Sequence, residues 1–341
     1  MKILVTGGTG FIGKHVLYKL VNHGHKVRCL VRKSSDVKSI KDLNVELVYG
    51  DVRDKNSLSR SLTGVDAVIH LANIYDFWIN NNNDYTLTNI SGSKYLFEAC
   101  LDAHIQKIVH VSSLVVYGNS KDKILTEQSE PGVNRYSKYA TSKAEGDKIA
   151  WSLYKRKGLP LVVVYPGAVT GPGDNKTSGR YIYDIVKNRM PAQVLTDSTI
   201  TWVDVRDVAE IIVKALETPH NLGEKYFAAA EIVTMGELND IIAEKAGISL
   251  PKFSMPYFLA FLTAQLLTFF GDIFKISPML GMSVDQIKTM KHGFSADGSK
   301  SIRELGITYI PIRKSVEDAI QSFSELNRQS YSGTEHARSD A

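Results

Sequence analysis

The chain has 341 residues, 43% hydrophobic and 23% charged, the balance of an ordinary globular protein able to bury a large core in one large or two medium domains. Its net charge of +5 comes from scattered lysines and arginines, and the densest basic run, Lys155-Arg156-Lys157, is a short solvated helix end, so nucleic-acid binding is not expected. Two cysteines, Cys29 and Cys100, make neither a metal-ligand spacing nor a disulfide framework; with a core strand starting just after Met1, a cytoplasmic protein is expected.

Ile3, Leu4 and Val5 form an apolar run broken by Thr6-Gly7-Gly8-Thr9-Gly10. After it Phe11, Ile12, Val16, Leu17, Leu20 and Val21 recur at helical spacing. Within this strand–turn–helix, Gly8-Thr9-Gly10-Phe11-Ile12-Gly13 fits a dinucleotide fingerprint. Glycines allow a sharp turn and close approach of a pyrophosphate, and the free N–H groups of the helix start face it. Further strands are expected at 26–32, 45–49, 67–71, 107–112 and 161–165, with the clearest helices at 86–104 and 136–157. Strands separated by crossover helices imply an α/β fold with a doubly wound parallel sheet, its ligand at the carboxyl ends of the strands.

The end of the second strand bears on cofactor choice. An NAD site usually carries an acidic residue about 20 positions past the glycines. Here Arg32-Lys33-Ser34-Ser35 occupies that place, with no carboxylate until Asp36. Arg32 and Lys33 suit a 2′-phosphate, so NADP is favoured over NAD. Asp51 stands where it can accept from the adenine amino group or cap a helix, and the small residues of Leu71-Ala72-Asn73 let a cofactor lie across the sheet edge.

Tyr139 and Lys143 are four apart, hence on one helical face. A phenol titrates near pKa ~10, and a neighbouring cation favours the phenolate, which suits Tyr139 to general acid/base work. Ser113, at the end of the run Val109-His110-Val111-Ser112-Ser113, can donate to a substrate carbonyl oxygen. A surface ion-pairing role for Tyr139 and Lys143, or a turn-capping role for Ser113, is the bland alternative for each alone.

Together with Val116-Tyr117-Gly118, Asp51-Val52-Arg53-Asp54, Gly171-Pro172-Gly173-Asp174, Gly179-Arg180, Arg189-Met190-Pro191 and Val203-Asp204-Val205-Arg206-Asp207-Val208-Ala209, these segments resemble the extended short-chain dehydrogenase/reductase superfamily. Within it the chain is most similar to the dihydroflavonol reductase, 3β-hydroxysteroid dehydrogenase and hopanoid-associated sugar epimerase branch, over nearly its whole length. The resemblance implies a Rossmann fold, Tyr139 as acid/base, Lys143 as its partner and ribose ligand, Ser113 on the oxyanion side, and Asn89 as the active-site-helix asparagine. It further implies cofactor contacts from Gly7, Gly10, Phe11, Ile12, Gly13, Val52, Leu71, Ala72, Asn73 and Pro166, substrate contacts from Tyr75, Trp78, Ser113 and Val115, and a homodimer built on a four-helix interface. Two positions depart from the pattern: Asn73 replaces the usual alanine, and Tyr165 replaces an arginine before the proline, either altering the pocket or serving as packing.

Residues 1–166 therefore read as the dinucleotide core, with further core segments near 200–230. Residues 167–326 read as mainly a smaller, mostly helical substrate domain, and 327–341 as a polar, disordered tail. Arg180, Tyr181 and Tyr183 are candidate substrate contacts. Residues 254–271 are uncharged and largely apolar. A helix lining an apolar substrate pocket is the favoured reading, followed by peripheral membrane contact and then a membrane span. The expected activity is NADP-dependent interconversion of a carbonyl and an alcohol on a fairly apolar small molecule. A nucleotide-sugar epimerase or dehydratase with tightly held cofactor, and a non-catalytic NADP sensor, are the alternatives.

Overall fold

The computed structural model describes residues 1–335. The strands are β1 (Lys2–Thr6), β2 (Lys26–Val31), β3 (Val45–Tyr49), β4 (Ala67–His70), β5 (Lys107–Val111), β6 (Leu161–Pro166), β7 (Ala168–Thr170), β8 (Gln193–Val194), β9 (Thr199–Asp204), β10 (Lys225–Ala228), β11 (Glu231–Thr234) and β12 (Ser254–Met255). Seven of them form one sheet in the order β10-β6-β5-β4-β1-β2-β3, every neighbouring pair parallel. Apart from the edge strand β3, their β-branched and leucine runs are buried on both faces, as a sheet covered on both sides by helices requires. Strand order reverses between β1 and β4, which opens a crevice at their carboxyl ends.

Helices Phe11–Asn22 and Val205–Glu217 cover one face, contributing Val16, Leu17, Leu20, Ile211 and Ile212 to its core. On the other face Leu58, Leu96, Phe97 and Ala150 pack on Leu4, Val68 and Ile108. Each fully buried aliphatic side chain contributes roughly 1.5–3 kcal/mol. Helix Val205–Glu217 and strand β10 thus join the sheet although they follow β6 by many residues. The remainder of the second half is built from helices Thr177–Val186, Met235–Ala246, Tyr257–Phe274, Val284–His292 and Ile312–Glu335, around a separate cluster including Ile182, Trp202, Leu238 and Val316. Two small sheets, β11-β9-β7 and β12-β8, tie it to the core.

Three expectations change. The helix anticipated at 86–104 is a short turn, Asn83–Tyr85, followed by a π-helical segment, Thr86–Gly92, and an α-helix, Ser93–Asp102; the pattern of apolar residues does not distinguish i→i+5 from i→i+4 pairing. The helix anticipated from 136 begins at Lys138, because Ser137 accepts a hydrogen bond from Ala140 N (3.1 Å) and caps it. The last helix runs to Glu335, overlapping the start of the tail expected from 327, and 336–341 lie outside the described residues.

Candidate active site

The crevice begins at the glycine turn after β1. Gly7 has φ +77°, a left-handed conformation, and a Cβ there would lie 2.7 Å from Ala72 N and from Leu71 C. A Cβ on Gly13 would lie 2.2 Å from Gly7 O, so the helix can approach the turn only with glycine at that position. The start of helix Phe11–Asn22 has no side-chain cap, which leaves its first N–H groups free to face the cleft. Beside this turn, Asn73 Oδ1 and Ser112 Oγ are buried without a hydrogen-bond partner among the described residues, and both residues line the cleft. A cradle closed to side chains, uncapped N–H groups and orphaned polar atoms fit a dinucleotide phosphate and its sugar.

Across from the cradle, helix Lys138–Lys157 carries Tyr139 and Lys143, both buried. The Tyr139 hydroxyl is hydrogen-bonded to Ser113, and its ring lies edge-on to Tyr75 and Phe77, with centroids 5.2 and 6.1 Å away. Burial pushes the Tyr139 phenol well above its ordinary value, opposed by the Ser113 hydrogen bond. Lys143 lies behind Tyr139, where its Nζ donates to Val111 O (2.8 Å). Burial brings its ammonium down to about 8, opposed by the negative charge of Asp147 one turn further along. Asp147 Oδ1 also lies 3.2 Å from His110 Nε2. His110 stacks on His70, whose ring nitrogens meet Thr6 Oγ1 (2.8 Å) and Ser93 Oγ (2.9 Å). Burial keeps both imidazoles below their ordinary values, hence neutral at pH 7.

Asn89 sits inside the π-helical segment and does not line the cleft. Its Oδ1 accepts from Ile74 N (2.8 Å), while Nδ2 donates to Ser142 Oγ (2.9 Å) and Ile74 O (3.1 Å). It thereby clamps the loop after β4 to the helix of Tyr139. Among the anticipated cofactor contacts, Gly7, Gly10, Phe11, Ile12, Gly13, Arg32, Asp51, Val52, Leu71, Ala72, Asn73, Tyr139 and Pro166 line the cleft, as do Tyr75, Ser113 and Val115.

Other anticipated residues lie elsewhere. Lys33 is exposed and outside the cleft, because the 32–35 turn (Ser35 N to Arg32 O, 2.9 Å) directs Arg32 and Ser35 inward instead. Trp78 is drawn away by Asp272, whose Oδ1 accepts from its indole N–H at 2.9 Å. Arg180 is exposed; Tyr183 packs edge-on against Phe323 and under the cations of Lys187 and Arg189. On that helix it is Thr177, Ser178 and Tyr181 that face the cleft. Tyr165 is core packing: its hydroxyl accepts from Trp151 Nε1 (3.1 Å) between Tyr117 and Phe227. Helix Tyr257–Phe274 contributes nothing to the cleft lining among the described residues, which removes the pocket-lining role anticipated for 254–271.

Sequence reasoning missed much of the cleft. At the adenosine end Arg53 joins Arg32, and its guanidinium holds the Asp51 carboxylate (2.9 Å). Burial disfavours ionisation of Asp51, but hydrogen bonds from Arg53 and the charge of Arg32 outweigh it and hold the carboxyl below its ordinary value. The adenine-amino role anticipated for Asp51 must therefore compete with Arg53. On the other side of Tyr139, the lining comes from Phe77, Val169, Ile200, Trp202, Met235, Met290 and Phe294, with Lys176 as the one cation among the described residues there. The indole Nε1 of Trp202 is buried and has no partner among the described residues.

The model of the NAD dependent epimerase/dehydratase family matches residues 3–229. The chain is 30% identical over 332 residues to sterol demethylase protein B of Methylococcus capsulatus, covering 95% of this chain and 99% of that one. It is 25% identical over 339 residues to cinnamoyl-CoA reductase 1 of Petunia hybrida, covering 95% and 92%. Among solved structures, UDP-glucuronic acid 4-epimerase of Bacillus cereus in complex with UDP-glucuronic acid and NAD superposes with a TM-score of 0.78 at 23% identity, covering 96% of this chain and 100% of that one, a likeness of fold. Family match, glycine cradle and buried tyrosine–lysine pair agree: the chain belongs to the NAD-dependent epimerase/dehydratase family and is an enzyme of it.

Proposed function

We propose that the protein is an NADP-dependent reductase or dehydrogenase that interconverts a carbonyl and an alcohol on a fairly apolar small molecule. The observation that carries this reading is the wall beyond Tyr139, where Phe77, Trp202, Met235, Met290 and Phe294 stand with Lys176 as the single cation among the described residues. Aromatic and thioether side chains dominate this wall and favour a fairly apolar ligand, with Thr177, Ser178, Tyr181, Gln286 and Thr289 as the polar groups that would orient it. A nucleotide-sugar, the rival substrate class, brings a pyrophosphate, and one lysine is a sparse partner for it. Arg32 and Arg53 at the adenosine end support NADP, since two guanidiniums suit a 2′-phosphate and the nearby Asp51 carboxylate is already paired with Arg53.

The bound dinucleotide supplies or accepts a hydride. The chain's own residues handle the proton and the charge. In the reducing direction Tyr139 gives its proton to the carbonyl oxygen as that oxygen gains negative charge, and Ser113 steadies the same oxygen by a hydrogen bond. The Lys143 cation lowers the cost of leaving a phenolate behind. Asn89 keeps the Ile74 backbone and the Tyr139 helix in fixed relation. A homodimer, suggested by the family resemblance, and a cytoplasmic location, in keeping with the free buried thiols of Cys29 and Cys100, complete the reading.

Tyr139→Phe tests it. Loss of the acid is expected to lower turnover by roughly 10²–10⁴-fold while NADPH affinity stays within about twofold of the parent. Turnover retained in this variant contradicts the assignment.

A further inference from the structure

In helix Tyr257–Phe274 the usual packing arrangement is inverted. Of its 18 residues only Ala260, Ala264 and Gly271 are buried. Phe258, Leu262, Leu266, Phe269 and Ile273 follow one another at helical spacing along the outer face, with Phe258 71% and Phe269 59% exposed. Small residues face the protein and large apolar ones face out, the reverse of a helix that packs on a soluble core. The chain on either side continues the patch, with Phe253 before the helix and Ile276 and Met279 after it also exposed. A contiguous apolar surface of this kind marks an interaction site.

The inner side of the helix is held. Ala260 and Ala264 pack with Val194 and Ile287, and Thr268 Oγ1 accepts from Val284 N (3.0 Å). Lysines rim the patch: Lys252 and Lys275 flank the helix in sequence, while Lys288 and Lys291 sit over the rings of Phe261 and Tyr257. Beside Tyr257, a shallow groove adds Arg135 and Lys138 to Lys288; its carboxylate, Asp285, accepts from Lys138 N (2.7 Å). Asp272, the acid within the helix, is turned toward Trp78.

We propose that this face docks on an anionic lipid membrane, with the helix lying in the plane of the interface. Its outer face supplies the apolar insertion and the lysine rim meets the headgroups. Two copies of the same face would bring lysine rims toward each other, whereas anionic headgroups complement them. The helix is long and apolar enough to cross a membrane by length and composition, but its inner side is packed against Val194 and Ile287, so it lies on the bilayer. The helix and the segment after it reach the loop that carries Phe77 of the cleft wall. Asp272 binds Trp78, and Ser283, in the following segment, donates to Phe77 O (3.1 Å). If the substrate is lipophilic, as the function proposed above holds, docking sets the cleft beside the phase that carries it.

Flotation of the full-length protein with phosphatidylcholine vesicles and with mixed phosphatidylcholine–phosphatidylglycerol vesicles tests the proposal. Binding to the mixed vesicles, weakened by salt, is expected. A Phe258→Glu/Leu262→Glu/Phe269→Glu variant should lose about tenfold or more of that binding and melt like the parent, because these side chains face away from the core. Lys288→Glu/Lys291→Glu should weaken only the anionic-lipid component. A parent protein that stays unbound on both vesicles overturns the proposal, as does binding that survives the triple substitution. A dimer that forms without lipid and dissociates in the triple variant also overturns it, in favour of a second copy on this face. Flotation needs no turnover, so Tyr139→Phe must float like the parent, and a failed reductase assignment leaves this result interpretable.

Discussion

Lys143 is buried among Tyr139, Val111 and Asp147, and burial disfavours its charged form. The ammonium nevertheless titrates at about 8, because Asp147 opposes the desolvation. In the free enzyme, kcat/KM for carbonyl reduction is expected to be level near neutrality and to fall as the pH rises through about 8, where Lys143 loses its proton. Asp147→Asn removes the opposing charge, so the alkaline limb of that profile should move to lower pH while KM changes little; a limb that does not move contradicts a positioning role for Asp147. At the far wall, Trp202→Phe removes a buried N–H that has no partner among the described residues and keeps an aromatic ring there, though a smaller one. A substrate that hydrogen-bonds this indole should then show KM raised by roughly 5–10-fold at an unchanged NADPH affinity, in keeping with ~1–1.5 kcal/mol for one hydrogen bond. Tyr139, Lys143, Ser113 and the glycines were legible because each sits in a local spacing with a chemical meaning. Arg53, Lys176 and Trp202 were not, since tertiary folding alone brings them to the cleft and nothing in their neighbours' periodicity announces it.

The two elements that give the site its shape are the glycine turn and the π-helical segment. A methyl group on Gly13 would meet the backbone at Gly7 O and Gly8 Cα, which cannot rotate away. Gly13→Ala is therefore expected to cost roughly 1–3 kcal/mol of stability and to weaken dinucleotide binding, checked by denaturant unfolding and fluorescence titration. At the π-helical segment, Asn89 gains its reach to both Ile74 and Ser142 from a backbone that departs from α geometry. The sequence at 86–104 reads as one amphipathic helix, so this departure left no trace in the apolar pattern. The stretch at 254–271 was legible as apolar and helical but not in its orientation. The distinction rests on which residues are small, and Ala260, Ala264 and Gly271 become the inner face only once Val194 and Ile287 are placed against them.

At the scale of the whole molecule, the parallel sheet follows from alternating strands and helices, and six of its seven strands were legible within a residue or two. The seventh, β10, returns from the second half of the chain to pair with β6, a placement set by tertiary contact. Helix Val205–Glu217 carries a buried acid at this junction. Burial raises Asp207 to about 6, although Ile310 N donates to its Oδ2 (2.8 Å) and holds the carboxyl down in part. A carboxyl whose folded value lies above its unfolded value near ~3.9 contributes stability that is full below the unfolded value and is lost as pH rises through about 6. Asp207→Asn keeps an acceptor for Ile310 N. It is expected to raise Tm relative to the parent at pH 7, with the difference closing as the pH is lowered through about 6; a constant difference contradicts this.

The chemistry assembled around Tyr139 is suited to net carbonyl reduction. The most direct measurement is incubation of the purified protein with NADPH deuterated at the transferable position and a panel of apolar ketones and aldehydes, following cofactor consumption and the label in the product. The expected product is an alcohol carrying deuterium at the former carbonyl carbon, formed in step with NADPH oxidation and faster than with NADH. Product formed with no net consumption of cofactor, or turnover confined to nucleotide-sugars, would contradict net carbonyl reduction.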